Sequence, residues 1–307
     1  MSDHDDPLVS DVKEARQRFL ALVADVRPDL HRYCSRMTGS VIDGEDIVQD
    51  TLARAYYSLA DVEALPALRA WLFRIAHHRA LDFLGRYERR MSQPLELVTE
   101  TAVALGSDPE EALAREERVR AALSSFLELP PAQRSSVILK DVLGHSLDEI
   151  AALLELSVPA VKALIHRGRA ALHAGSGAAA AAAQPPAPAR EPSPEMRRYA
   201  ALFNARDWDG VRSLLAEEVR LDLVAKSERA GRRSVGGYVD NYAKMNDWHL
   251  VPGWLEGRET IGVFRDPTAT APAYFIELRF SAQKVATIRD FRYVPYIAAE
   301  ATFTRLP

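Results

Sequence analysis

Apolar residues return at helical spacing through most of the first 173 positions, and the pattern changes character beyond residue 195. The clearest stretch is Trp71–Arg90, WLFRIAHHRALDFLGRYERR. With Leu68 before it, Trp71, Leu72, Ile75, Ala76 and Phe83 form one apolar stripe. Arg74, His77, His78, Arg86, Arg89 and Arg90 surround that stripe, with only Asp82 and Glu88 as acids. Such a helix fits a phosphate-facing element, because cations on its polar side release counterions from nucleic acid. It fits equally a core helix with a solvated basic face. Upstream, Val12–Val26 and Pro28–Met37 read as helices, with Pro28 in a first turn and Gly39 as a stop. Asp43–Leu59 follows, with Asp43 as its expected N-cap. Ile47, Val48, Leu52, Ala55, Tyr56 and Leu59 point to a core; Asp46, Gln49, Asp50, Arg54 and Tyr57 point away. Pro66 interrupts the pattern within Asp61–Ala70.

Helical spacing resumes after a polar linker, Met91–Pro109, that carries Glu96, Glu100 and Asp108. Glu110–Leu127 is an expected helix. Ser146 with Glu149 makes a capping box ahead of the apolar face Leu147, Ile150, Ala151 and Leu154. Ser157 caps the next helix, with Pro159 in its first turn. There Val161, Leu164, Ile165, Gly168 and Leu172 form the inner stripe, and Lys162, Ala163, His166, Arg167, Arg169 and Ala170 face outward. Two short helices joined by a tight turn, the second basic, predict a helix-turn-helix.

Ala174–Glu195 is an Ala- and Pro-rich tether. Beyond it, Met196–Leu215 reads as two helices broken around Arg206–Asp209. Glu218–Val224 alternates as a strand, Lys226–Gly237 (KSERAGRRSVGG) reads as a basic loop, and GGYVDNYAKM as a short helix. Trp248–Trp254, Thr260–Phe264, Ala273–Phe280 and Val285–Ile297 are β-rich. Helices first and strands after predict helices packed on a mainly antiparallel sheet.

Composition sharpens this picture without redirecting it. The 307 residues are 48% hydrophobic and carry a net charge of −4, so a nucleic-acid surface must be local. Cys34 is the single cysteine, which excludes an intrachain disulfide and a multi-cysteine metal site. The N-terminus is acidic, and no apolar run approaches the ~20 residues of a membrane span. A cytoplasmic protein that interacts with no membrane, and uses neither metal nor cofactor, is expected.

Two stretches carry a family resemblance. DGEDIVQDTLARAYYSL, a Pro-containing loop and WLFRIAHHRALDFLGR resemble region 2 of the sigma-70 superfamily, in its extracytoplasmic-function group. LPPAQR, then L-x-E-I-A-x-L-L-x-x-S, then V-K-x-x-I-H-R-G-R resemble region 4. The resemblance implies that Asp46, Gln49 and Asp50 dock on the β′ clamp helices of core RNA polymerase, with further contact to the β subunit. It implies that the loop Asp61–Arg69 captures a base flipped from the −10 element. Arg74, His77, His78 and Arg86 would then contact −10 promoter DNA. His78 stands where the family often has Asn, and Gly85 where it often has Arg. Lys162, His166, Arg167 and Arg169 are the −35 set, with Arg134 and Arg169 holding phosphates or structure. The linker acids would lie toward the polymerase cleft, or the linker is a simple tether.

The order and size of the last third resemble the SnoaL-like, polyketide-cyclase-like cone fold. The implied architecture is two all-α domains, the second a helix-turn-helix, followed by an α+β cone-shaped domain. Its segments are a flexible N-terminus (1–11), region 2 (12–90), linker (91–109), region 4 (110–173), tether (174–195) and cone (196–307). Asp222, His249 and Asp290 are the bases such folds would use, and an Asp290–Arg292 pair the expected polar patch. Some folds of this kind are cyclases or isomerases, but these residues form no catalytic set, so a regulatory, non-enzymatic domain is expected, with a catalytic module as the alternative. That domain would touch the sigma domains within the same chain. Trp248, Trp254, Phe264, Tyr274, Phe291 and Tyr293 are assigned to core packing, with the lining of a small-molecule pocket as the alternative. A stand-alone helix-turn-helix regulator is the competing reading of the whole chain.

Overall fold

The computed structural model describes residues 19, 21–58, 68–91, 126–179 and 191–305, with side chains through residue 86 in the third helix and residue 174 in the sixth. Residues 92–109 of the linker, residues 61–67 of the loop expected to capture a base, most of Glu110–Leu127 and half of the tether lie outside these residues. The described residues fall into two compact units, 19–91 with 126–179, and 191–305.

In the first unit, α1 (Arg27–Thr38) carries Pro28 in its first turn and ends at Gly39. Gly39 has φ +77° and donates its N–H to Ser35 O at 2.7 Å. The left-handed backbone there favours glycine, and a Cβ would also press on the Leu127 side chain. α2 (Val41–Ser58) starts before the expected cap Asp43. Ser40 does the capping, accepting the Asp43 N–H at 3.1 Å. Gly44 lets α1 approach closely, since a Cβ would lie 2.7 Å from the Ser35 backbone nitrogen. Glu45, in the first turns of α2, is fully buried and paired with Arg27.

α3 (Leu68–Met91) buries Leu72, Phe73, Ala76 and Ala80 most completely, while Leu68, Trp71, Ile75 and Phe83 pack at the margin. α4 (Pro131–Val137) runs into a π-helical turn, Ile138–Val142. α5 (Leu147–Leu154) has the predicted capping box, with Ser146 N donating to Glu149 Oε2 at 2.7 Å and Glu149 N to Ser146 Oγ at 3.2 Å. α6 (Val158–Ala179) runs into the tether's alanines. Ser157 Oγ accepts from Ala160 N at 3.3 Å. Residues of α1–α3 and α4–α6 belong to one continuous core. The two helical segments, distinct modules in the sequence pattern, thus pack directly together.

The second unit begins with α7 (Pro194–Asn204) and α8 (Trp208–Leu214), separated where expected. The strands are β1 (Leu215–Leu223), β2 (Ser227–Ala230), β3 (His249–Leu255), β4 (Arg258–Phe264), β5 (Tyr274–Ser281), β6 (Lys284–Asp290) and β7 (Phe303–Arg305). They form one sheet in the order β2-β1-β6-β5-β4-β3-β7, antiparallel except for β1 beside β6. α7, α8 and α9 (Arg232–Ala243) cover one face through Tyr199, Phe203, Val211, Val235 and Tyr242. On β3 and β4, Gly253 and Gly262 leave room for Phe303, whose ring reaches within 3 Å of a Cβ built at either.

Two expectations fail here. Lys226–Gly237 is not a loop: it contains β2, a turn at Gly231 (φ +84°) and the start of α9. β2 pairs with β1 through Leu223↔Ser227, a partner that its charge-rich sequence does not advertise. Nor is Val285–Ile297 one strand. β6 stops at Asp290, whose Oδ1 accepts the Arg292 N–H at 2.9 Å and turns the chain. Pro295 then precedes a short helix, α10 (Tyr296–Glu300).

Candidate polymerase and promoter surfaces

The outward face of α2 holds the three expected docking residues in different states. Asp46 is exposed, and Gln49 and Asp50 are half-buried. Asp50 accepts from Arg54 Nε at 3.3 Å and also pairs with Arg79 of α3, so it braces one helix against another. Gln49 Nε2 is buried without a hydrogen-bond partner. Farther along this face Tyr57 is 83% exposed, the most open of the large apolar side chains among the described residues.

On α3, Arg74, His78 and Arg86 are exposed. Arg74 lies 3.8 Å from the exposed Glu155, and Arg86 Nε donates to Asp82 O at 3.2 Å. His77 departs from the expected set. Its Nδ1 is 2.7 Å from Tyr33 Oη and 3.3 Å from Ser135 Oγ. Burial, followed by the neighbouring His78, pulls its pKa down to about 4. His77 is therefore a neutral ring facing α1 and α4, not a cation facing solvent.

On α6 the outward residues are as the pattern predicts. Lys162, His166 and Arg167 are exposed, and Val161, Ile165 and Gly168 are buried. Gly168 is needed because a Cβ would meet Val137 Cγ2 at 2.6 Å. Arg169 is exposed but committed: its Nε donates to Asp141 Oδ2 at 2.9 Å, and its Nη2 holds Asp141 Oδ1. Arg134 is structural, nearly buried and donating to Met37 O, Leu127 O (2.7 Å) and Leu129 O (3.0 Å). A groove of about 510 Å³ runs along the basic helix, with Lys140, Lys162, His166 and Arg169 among its walls. Lys140 escaped sequence reasoning because it sits within the apolar run SSVILKDVL.

The second unit does not assemble the three candidate bases. Asp222 lies on the sheet face away from the helices, 3.3 Å from Arg289, which also reaches Glu277 at 3.2 Å. His249 opens β3. Asp290 is fully buried on the helix-covered face, and its link to Arg292 runs through the Arg292 backbone N–H rather than a side-chain ion pair.

Residues 22–90 match the Sigma-70 region 2 family model, and residues 120–172 match that of Sigma-70 region 4. SigW of Bacillus subtilis, an ECF RNA polymerase sigma factor, is 32% identical over 176 residues, covering 53% of this chain and 92% of SigW. The chain belongs to the ECF sigma factors. The family assignment places region 2 on α1–α3 and region 4 on α4–α6 of this sigma factor. SigG of Mycobacterium tuberculosis is 33% identical over 230 residues, 67% of this chain; the chain spans 61% of SigG. Among solved structures, M. tuberculosis SigJ is similar at 23% identity and a TM-score of 0.35, covering 87% of this chain and 93% of that one.

Proposed function

We propose that this chain binds bacterial core RNA polymerase, recognises −35 and −10 promoter elements and initiates transcription under the control of its C-terminal unit. The single observation that carries this reading is the pair of sigma-70 matches in the order region 2, region 4. Asp46 and Tyr57 on α2 are the residues we assign to polymerase, and Gln49 supports them. Asp50 contributes by fixing α2 on α3. Arg74, His78 and Arg86 serve the −10 region; Lys162, His166 and Arg167 read −35, with Lys140 on phosphate.

The packing of region 2 on region 4 is, in this reading, a closed form. Elements at −35 and −10 lie about 25 base pairs apart, on the order of 85 Å of duplex at ~3.4 Å per pair. A compact unit of this size has a radius of gyration of about 14 Å. Both elements are read together only after α4–α6 leave α1–α3. The C-terminal unit, tethered at high effective concentration, would shift the balance between closed and open forms. The test is reconstituted transcription with core polymerase, comparing the full chain with one ending at His173. Transcripts dependent on both elements are expected. Tight duplex binding without polymerase, and no transcripts, would instead mark a stand-alone regulator.

A further inference from the structure

Where α9 crosses the ends of β1 and β6, the second unit holds a cavity of about 380 Å³. That volume lies at the low end of the ~300–1,000 Å³ common for small-molecule sites. Its walls include Leu223, Tyr238, Tyr242 and Met245, with Lys226 and Arg292 also lining it.

The hydrogen bonds around this cavity run one way. Arg292 Nη1 donates to Tyr274 Oη at 3.2 Å, and a guanidinium can only donate. Tyr242 donates its hydroxyl proton to Asp290 Oδ2 at 2.7 Å, and Tyr238 donates to the same oxygen at 2.8 Å. Tyr274, 3.0 Å from Tyr242 Oη, must therefore be the donor in that contact. Oδ1 of Asp290 takes the Arg292 backbone N–H. Both oxygens of Asp290, itself a lining residue, are thus hydrogen-bonded, and burial raises its pKa, favouring the neutral acid.

The two cations are treated differently. Arg292 spends its second nitrogen on Met245 Sδ at 2.9 Å and lies between two rings, 5.5 Å from that of Tyr242 and 5.7 Å from that of Tyr274. Lys226 Nζ sits 4.1 Å over the Tyr293 ring. Neither side chain is in a side-chain ion pair among the described residues; Arg292 meets the buried Asp290 through its backbone N–H and, less directly, through space. A phenol oxygen, a thioether and ring faces are weak partners for charge. The cavity thus offers two cationic donors at one side, with Asp290 held by its own hydrogen bonds, and apolar or aromatic walls elsewhere.

We propose that this cavity binds a small planar organic anion, an aromatic or conjugated carboxylate, with its carboxylate between Arg292 and Lys226 and its flat body against Leu223, Met245 and the tyrosine rings. Nothing in this depends on the sigma assignment, and the test reads binding alone. Isothermal titration calorimetry on the full chain would use 2-naphthoate and 4-hydroxycinnamate, with neutral 2-naphthamide and inorganic sulfate as comparisons. Saturable binding of at least one carboxylate is expected, with 2-naphthamide and sulfate each about tenfold weaker or worse. Lys226→Gln, a surface change, should weaken the carboxylate severalfold; Arg292→Gln should weaken it about tenfold, with partial recovery in Arg292→Lys. Four results would each overturn the proposal: no saturable binding of either carboxylate at millimolar concentration, 2-naphthamide binding as tightly, sulfate competing as well as naphthoate, or unchanged affinity in Lys226→Gln and in Arg292→Gln that retains the parent thermal transition.

Discussion

Tyr33 and Ser135, 102 positions apart, meet with their hydroxyl oxygens at 2.8 Å inside the helical unit. Tyr33 Oη also faces His77 Nδ1, and Arg134 beside this contact donates to Met37 O of α1. These contacts join region 2 to region 4, and in the proposed closed form they would resist its opening.

Tyr33→Phe removes the shared hydroxyl and leaves Ser135 and His77 with fewer partners. A loss of about 1–3 kcal/mol is expected. Hydrogen exchange should show α4 exposed roughly 5- to 150-fold more often, and polymerase association should be faster. Unchanged protection of α4 would mean this contact does not hold the two regions together.

His77 makes the unit acid-sensitive. Its folded pKa, about 4, lies below the ordinary 6.5, so between those values the unfolded chain holds more proton. Its contribution is complete above pH 6.5 and is lost as pH falls through 4, on the order of 3 to 4 kcal/mol in all. His145, whose pKa is lowered by burial and then by Arg69, acts with the same sign. In His77→Gln the loss of thermal stability between pH 7 and pH 5 should shrink, which calorimetry at matched ionic strength would measure.

Asp46 is exposed on the outward face of α2, and Asp50 braces α2 on α3. Asp46→Lys should weaken polymerase binding. Asp50→Lys should lower stability by about 1 kcal/mol through loss of the Arg79 brace, beyond any effect on polymerase. Thermal unfolding of Asp50→Lys unchanged from the parent would show that the Arg79 contact is not a brace.

On α6, Arg167→Ala should reduce −35-dependent binding by about 1–3 kcal/mol and lower the salt slope by about one if it holds phosphate. Arg169→Ala should cost less binding, since Asp141 already neutralises that guanidinium. Filter binding of holoenzyme at several salt concentrations distinguishes the two.

Much of this was legible because it depends on near neighbours. The Ser146–Glu149 box, the stop at Gly39 and the two faces of α6 follow from spacing of four residues or fewer. The illegible part lies in pairs remote along the chain. Asp50 looks like a free surface acid until Arg79 arrives beside it, and Arg169 looks like a phosphate ligand until Asp141 does. His77 falls at the edge of its helix's apolar stripe, and only the approach of α1 and α4 turns it inward. In the last third, the parallel pairing of β1 with β6 and the two phenols on Asp290 are tertiary facts. A run such as SERAGRR carries no periodic mark of the strand and helix it forms.

Reconstituted transcription tests the central claim most directly. Core polymerase would be supplied with the full chain, or with the form ending at His173, on a template library randomised at −35 and −10. The account predicts transcripts whose start sites depend on both elements, in amounts that differ between the two proteins. Absence of transcripts from both, with tight binding to promoter duplex in the absence of polymerase, would contradict it.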